Sequence, residues 1–473
     1  MARKKQEKQL IELKIESIAF EGGGVAKSEG KVYFIKGAVP GDKVIARINK
    51  KKKSYSFGEI DSLLEESPDR IAPMCQHFGL CGGCSWQQLK YHKQLFWKRQ
   101  HVIDSFSRIG KISNCEYLET MPSPRVFHYR NKMEFSFSGY RWLTEAEISS
   151  DDDIPNKDFA LGLHVPGVFN KVLDIHDCYL HKISVPVILK KIREKALEYG
   201  SKPYNIKTHE GFLRNLIFRS SEYLDEMMVI LLTTDPKDDA DSKLKNWFIN
   251  DFPNEYPEIQ HIIHATSNSF SPVAVGEPYI IRGTGFLTER ILDVTFRISP
   301  FSFFQTNSSQ LDGFIAQILS FANIQQNETV WDLYCGTGSI TLPASKKAKE
   351  VYGLELVESS ISDANENREL NNINNANFIC SDLNAKNASD ILSALPKPDV
   401  IIVDPPRAGM HKNLVPAILE AEPQRIIYVS CNPATQARDC ELLSDKYYVE
   451  KVNPVDMFPH TFHVESIAKL FRK

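Results

Sequence analysis

The 473-residue chain lacks any run approaching the ~18 consecutive apolar residues that a membrane-spanning helix needs, so no membrane association is expected. Its start, Met1-Ala2-Arg3-Lys4-Lys5, is charged and no apolar stretch follows it, which argues against secretion. Nine cysteines at irregular spacing do not read as a disulfide framework in a chain this long. The expectation is a reducing, cytoplasmic setting, where clustered cysteines point to metal binding or catalysis. Two nucleotide-binding patterns are also missing. There is no Gly-x-Gly-x-x-Gly of a dinucleotide fold and no Gly-Lys-Ser/Thr of a P-loop. No long internal repeat occurs, and no low-complexity tract beyond an Asn-rich turn at 371–377.

What is present is ordinary globular composition, 42% apolar and 25% charged, which excludes disorder over most of the chain. At roughly 100–200 residues per domain, two to four domains are expected. The net charge of −3 is unevenly spread. Residues 1–60 carry 14 lysines and arginines against 7 carboxylates, and residues 351–400 carry 3 against 8. A basic end on a near-neutral protein suggests a polyanionic partner, although a solvated basic tail has the same composition.

Residues 11–65 read as short strands. Leu13 to Ile18 alternates with period two, Gly22-Gly23-Gly24 is a turn, and Val32 to Ile35 and Val44 to Ile48 are further strands. Lysines 50–53 are expected in the next turn, ahead of Tyr55 and Phe57. Lysines interleaved with aromatics on short strands suggest a small oligonucleotide-binding β-barrel. A helix is expected from Gln87 to Phe106. Residues 125–300 read as a mixed, mostly β domain, with Glu145 to Asp158 an exposed acidic loop. From about residue 305, strands alternate with helices. The nearly continuous apolar runs Asp399 to Asp404 and Arg425 to Ser430 suit buried parallel strands. The C-terminal third is therefore expected to be a doubly wound α/β domain.

Asp332-Leu333-Tyr334-Cys335-Gly336-Thr337-Gly338-Ser339 falls at a strand-to-helix turn, where glycines let backbone approach a ligand closely. Glu355 stands 17 residues after Gly338 at the end of the next strand, where a carboxylate can accept both ribose hydroxyls of an adenosine. Asp382 ends the third strand region, within reach of an adenine. This pattern resembles the S-adenosylmethionine site of a class I methyltransferase. Asp404-Pro405-Pro406-Arg407 follows a buried strand, and its prolines leave carbonyls facing the crevice. Ser430-Cys431-Asn432-Pro433 follows the next strand, which sets Cys431 at the ligand crevice. A thiolate there is a strong nucleophile, although a lone cysteine in a strand is as often a small buried hydrophobe.

A thiol explains a particular methylation. Carbon 5 of uracil is a poor nucleophile. Thiolate attack on carbon 6 gives an enolate whose carbon 5 can take a methyl group from a sulfonium. A base must then remove the carbon 5 proton, and Glu465, in His463-Val464-Glu465, is the best candidate.

Cys75, Cys81 and Cys84 lie within ten residues among glycines, which implies a soft metal centre. Cys178 is the most plausible fourth ligand, with Cys115 its competitor. Spacing does not separate a [4Fe–4S] cluster from structural zinc.

Together with Tyr129-Arg130-Asn131-Lys132 and Phe303-Phe304-Gln305-Thr306-Asn307, these motifs resemble the RNA uracil-5 methyltransferases, in particular the bacterial 23S rRNA subfamily. The resemblance spans nearly the whole chain. It implies a TRAM-like barrel that binds RNA (1–65), a central domain with an iron–sulfur cluster (66–300), and a Rossmann-like, S-adenosylmethionine-dependent catalytic domain (301–473). It implies Cys431 as nucleophile, Glu465 as base, and a [4Fe–4S] cluster on Cys75, Cys81, Cys84 and Cys178. Gln305, Tyr334, Ser339, Glu355, Asp382 and Asp404 fall at cofactor positions, although some relatives carry Asn in place of Ser339 and Asp382. Phe303 has the type and place to stack on a flipped uracil. The implied partner is 23S rRNA, with the tRNA T-loop as the alternative, and no protein partner is inferred. A catalytically idle RNA-binding factor would be expected to have lost Cys431, Glu465, Glu355 or Asp404. A radical enzyme would be expected to carry Cys-x3-Cys-x2-Cys.

Overall fold

The computed structural model describes residues 9–150, 153–182, 184–385 and 388–473. Residues 1–8, with four of the basic side chains of the N-terminal stretch, and residues 151–152 of the acidic insert lie outside the described residues. Among the described residues no helix is long and apolar enough to cross a membrane.

Strands Leu10–Lys14, Ser17–Ile18, Gly24–Ser28, Lys31–Lys36, Lys43–Lys51 and Tyr55–Glu65 form a six-stranded sheet. Alternation turns Leu13, Tyr33, Ile35, Val44, Ala46 and Ile48 into a core of their own. The lysine cluster does not sit wholly in a turn. Lys50 and Lys51 finish their strand, paired with Phe57 and Ser56, so only Lys52 and Lys53 lie in the connection. The ladder runs on because the partner strand is eleven residues long.

The central sheet has seven strands, ordered Val168–Asp174, Ala160–Val165, Lys132–Ser138, Leu213–Ser220, Met227–Thr233, His261–Thr266 and Glu277–Arg282. Met227–Thr233 is buried throughout, which explains its unbroken apolar run. The acidic insert is not all loop. Glu145–Ser149 is a short helix whose Thr144 and Glu147 close a capping box. The expected helix at 87–106 runs instead over Tyr91–Arg108. Gln87 and Gln88 are held outside it, the first accepting from the Cys75 N–H (3.1 Å) and the second from the Ile71 N–H (2.9 Å).

The C-terminal sheet has eight strands. Its order is Ala376–Cys380, Glu350–Glu355, Thr329–Leu333, Val400–Val403, Arg425–Ser430, Glu465–Arg472, Tyr447–Val455 and Glu116–Tyr117. The first five are parallel, as their continuous apolar runs require. The Tyr91–Arg108 helix packs on the Pro433–Leu442 helix, and Glu116–Tyr117 extends the sheet edge. One apolar core joins the central and C-terminal sheets through Phe314 and Ile318 of the Ser308–Ala322 helix. The fold is α/β, with an N-terminal β domain and a C-terminal Rossmann-like domain.

Candidate active site

Strand order reverses between Thr329–Leu333 and Val400–Val403, and in such sheets ligands bind beyond the carboxyl ends at that point. A cavity of about 600 Å³ opens there. Gln305, Tyr334, Ser339, Glu355, Asp382, Asp404, Cys431 and Glu465 all line it, with Phe303, Arg407 and His463. Phe303 is 65% exposed at its mouth.

The glycine turn is tight. Tyr334 adopts a left-handed φ of 68°, costly for a residue with a side chain. Its N–H and that of Cys335 both donate to the Leu354 carbonyl. A Cβ on Gly338 would lie 2.9 Å from the Phe378 ring, so only glycine fits. Glu355 accepts from the N–H groups of Gly336 (3.2 Å) and Val357 (3.0 Å), which fixes its carboxylate at the rim. The buried Tyr334 hydroxyl and Ser381 hydroxyl have no partner among the described residues. Both belong to residues that line the cavity, as polar groups that a ligand can satisfy.

Strand register assembles the reacting end. Ser430 pairs with Ser466 in antiparallel register, so the next residues along, Cys431 and Glu465, come side by side. Burial, then the Asp404 charge, pushes the Glu465 carboxyl well above the usual range, and burial does the same to Asp404. Burial, then the charges of Glu465 and Asp404, pushes the Cys431 thiol up to about 11, while Arg407 pulls it down. Cys431 also stands just before the Pro433–Leu442 helix, whose N-terminal dipole favours a thiolate. Asn432 caps that helix and donates to the Arg407 carbonyl (3.1 Å), tying the two loops together. Burial holds His463 neutral, its pKa lowered to about 4.

The segment carrying Glu465 is gripped from a distant part of the chain, a feature with no local sequence signal. Lys98 donates to Asp456 (2.5 Å) and to the Phe458 carbonyl (2.9 Å), and neither side chain of the ion pair is exposed. Gln94 accepts from the His460 N–H (2.8 Å), and His460 takes a left-handed φ of 64°. Removing one partner strands a buried charge. Lys98→Ala is therefore expected to cost about 3–5 kcal/mol, read by denaturant unfolding. An unchanged midpoint would contradict this.

Cys75, Cys81, Cys84 and Cys178 line one small cavity with Leu163, Ile175 and Leu180. Cys115 is elsewhere, packed in the C-terminal core with Tyr117. Burial raises all four thiols, and each is close enough to at least one other for its charge to be felt. Four such thiols suit a soft cationic centre, which alone would let them ionise. Among the described residues no group of three or more His, Cys, Asp or Glu side chains is placed closely enough to hold a metal ion.

The chain is similar to known proteins over nearly its whole length. The model of the tRNA (uracil-5-)-methyltransferase family matches residues 284–473, and that of the TRAM domain matches residues 4–60. An uncharacterized RNA methyltransferase of Chlorobaculum tepidum is 41% identical over 464 residues, 97% of this chain and 95% of its own. One of Bacteroides thetaiotaomicron is 41% identical over 454 residues, 96% of this chain and 99% of its own. The chain belongs to the RNA uracil-5-methyltransferase family. The crystal structure of Pyrococcus abyssi tRNA (uracil-54, C5)-methyltransferase with S-adenosyl-L-homocysteine matches with a TM-score of 0.73. That pair is 29% identical, and the match covers 97% of this chain and 100% of the other.

This methyltransferase uses S-adenosylmethionine, and its TRAM domain is the six-stranded N-terminal sheet. Two motifs of the methyltransferase pair directly. The Asn131 N–H donates to the Thr306 carbonyl (2.8 Å) and its side chain to the Gln305 carbonyl (2.7 Å), which sets Gln305 at the cavity wall. Asp439 anchors the far end of the Asp404 loop by accepting from the Met410 N–H (2.7 Å) and the Tyr428 hydroxyl (2.6 Å).

Proposed function

We propose that the protein methylates carbon 5 of a uridine in 23S rRNA through a covalent adduct at Cys431. The observation that carries this reading is the register that brings Cys431 and Glu465 together at the rim of the cofactor cavity. Cys431 attacks carbon 6, and the ring electrons move onto the carbonyl oxygen at carbon 4. Carbon 5 then takes the methyl group that S-adenosylmethionine supplies. Glu465 removes the carbon 5 proton, the carbon 5–carbon 6 double bond re-forms, and Cys431 leaves as thiolate. Gln305, Tyr334, Ser339, Glu355, Asp382 and Asp404 hold the cofactor, and Phe303 stacks on the extruded base. Arg407 supports the thiolate by its charge.

The resemblance of the motifs to the 23S rRNA subfamily supports rRNA as substrate. A second reading, the same chemistry on a tRNA T-loop, draws support from the Pyrococcus abyssi tRNA enzyme, which aligns over 97% of this chain. Unmodified 23S rRNA and unmodified tRNA, each incubated with labelled S-adenosylmethionine, separate the two. Label recovered as 5-methyluridine in rRNA supports the first reading, and label only in tRNA replaces it with the second.

Phe34 stacks on Phe57 (5.4 Å) with Tyr55 edge-on (5.5 Å from Phe57), and Lys50 lies over Phe57. This surface and Lys50 to Lys53 bind RNA. Replacing the four lysines with alanine is expected to reduce the salt slope of RNA affinity by about 0.7 per lost phosphate contact. An unchanged slope in a salt titration would argue against the assignment.

Cys75, Cys81, Cys84 and Cys178 hold a [4Fe–4S] cluster with a structural role. Protein prepared without oxygen is expected to contain about four iron atoms per chain, and Cys178→Ser fewer. Stoichiometric zinc in their place would overturn the cluster.

A further inference from the structure

We infer that the methyltransferase has a second RNA subsite, a nucleotide pocket on the central sheet that takes an unpaired base flanking the target uridine. The inference rests on the proposed RNA substrate and extends it to a surface outside the catalytic domain.

The geometry begins with the strand Lys132–Ser138. Its odd residues Met133, Phe135 and Phe137 are buried in the central core. Its even residues therefore share the opposite face. Lys132 and Glu134 line a groove of about 450 Å³ together with Arg130. Ser136 and Ser138 line a separate hollow of about 230 Å³. The groove shares Thr306 and His463 with the catalytic cavity, and it shares His164 with the hollow. One surface thus leads from Cys431 across Arg130 to the hollow. The six-residue step from Lys132 to Ser138 spans about 20 Å, the reach of a few extended nucleotides.

The hollow has the chemistry of a base pocket. Tyr140 supplies an aromatic ring and Asn170 an amide, while Tyr204, Asn205 and Asn215 form the walls. An amide offers both donors and an acceptor, which is what the edge of an unpaired base requires. Asn205 donates to the Tyr140 hydroxyl (3.3 Å), which orients that ring. Tyr140 is 43% exposed, so its ring is open to stacking. Lys207 and Arg214 also line the hollow, and among the described residues its lining holds no carboxylate. Lys207 forms no ion pair among the described residues, which leaves its charge for a phosphate.

The walls are built rather than loose. The Arg214 guanidinium lies 4.6 Å over the Tyr204 ring. It donates to the carbonyls of Ser267 (2.9 Å), Ser269 (2.6 Å) and Ser271, pinning the loop that supplies Pro272. Asn205 accepts from the Lys207 N–H (2.9 Å), which fixes the opposite rim. Asn215 donates to Ser136 (3.3 Å) across the floor. A rigid, polar and aromatic hollow of this kind lowers the ordering cost of binding a flexible strand.

The test pairs cross-linking with affinity. Wild-type protein is irradiated with unmodified 23S rRNA and tRNA transcripts that carry 4-thiouridine, and the attached peptides are mapped. Cross-links to Tyr140 or to residues 204–207 are expected. Attachment confined to the surroundings of Cys431 and the N-terminal sheet would overturn the subsite. In parallel, Tyr140→Ala with Lys207→Glu is expected to weaken binding of the cross-linking transcript about tenfold while S-adenosylhomocysteine affinity, a check on folding, stays the same. Equal RNA affinity in variant and wild type would also overturn it. Cross-links at Tyr140 from a protein that makes no 5-methyluridine would sink the methylation reading and leave the subsite standing. Methylation without those cross-links would do the reverse.

Discussion

Cys431→Ala is expected to lower methyl transfer to RNA at least about a thousandfold, with S-adenosylmethionine binding retained. The loss is this large because carbon 5 of uracil has no usable electron density until carbon 6 carries a nucleophile. Alanine keeps the strand end and the Pro433–Leu442 helix cap, since Asn432 supplies the cap. The thiol also sets a pH dependence. With its pKa pushed up to about 11, Cys431 is mostly protonated in the free protein at neutral pH. The thiolate fraction grows about tenfold per pH unit below that value. The kcat/KM for RNA is therefore expected to rise from neutral to mildly alkaline pH. A flat profile with chemistry rate-limiting would show that the thiolate is formed in another way. Residual activity near wild type in Cys431→Ala would remove the covalent route altogether.

Glu465→Gln is expected to divide the reaction in two. In the proposed mechanism, adduct formation and methyl transfer need Cys431, but release needs loss of the carbon 5 proton. Glutamine cannot take that proton, so turnover is expected to fall about 10²–10⁴-fold. A protein–RNA species that survives denaturing electrophoresis is expected to accumulate. Burial and Asp404 hold the Glu465 carboxyl well above the usual range. At neutral pH the exchange for glutamine therefore removes little charge from beside Cys431, and it leaves the first step largely unchanged while the last is blocked. Full turnover with no covalent species would assign the proton to another base. His463 lines the same cavity and would be the group to examine.

The residues to which the proposed chemistry is assigned were legible because they sit at strand ends. Buried parallel strands announce themselves as Val400–Val403 and Arg425–Ser430, and Asp404 and Cys431 follow them directly. Glu465 needed the antiparallel register with Arg425–Ser430, which no local pattern encodes. The grip of Lys98 on Asp456 joins residues 358 positions apart, so neither residue stands out in the sequence. Where local signals misled, the physics was close by. Thr144 and Glu147 spell a capping box, and they turn the start of the acidic insert into the Glu145–Ser149 helix. Lys50 and Lys51 resemble turn residues in composition, yet the long partner strand keeps them in the ladder. The start of the Tyr91–Arg108 helix was hidden because Gln87 and Gln88 are good helix formers held in other contacts.

The most direct test of the account uses RNA in which 5-fluorouridine replaces uridine. A fluorine at carbon 5 gives Glu465 no proton to remove, so the reaction stops after methyl transfer. The measurement is the intact mass of the wild-type protein after incubation with this RNA and S-adenosylmethionine, followed by nuclease digestion and peptide mapping. The account predicts a nucleotide bearing both fluorine and a methyl group, attached to the peptide containing Cys431. Unmodified protein mass, from a preparation that forms 5-methyluridine in ordinary RNA, would contradict it.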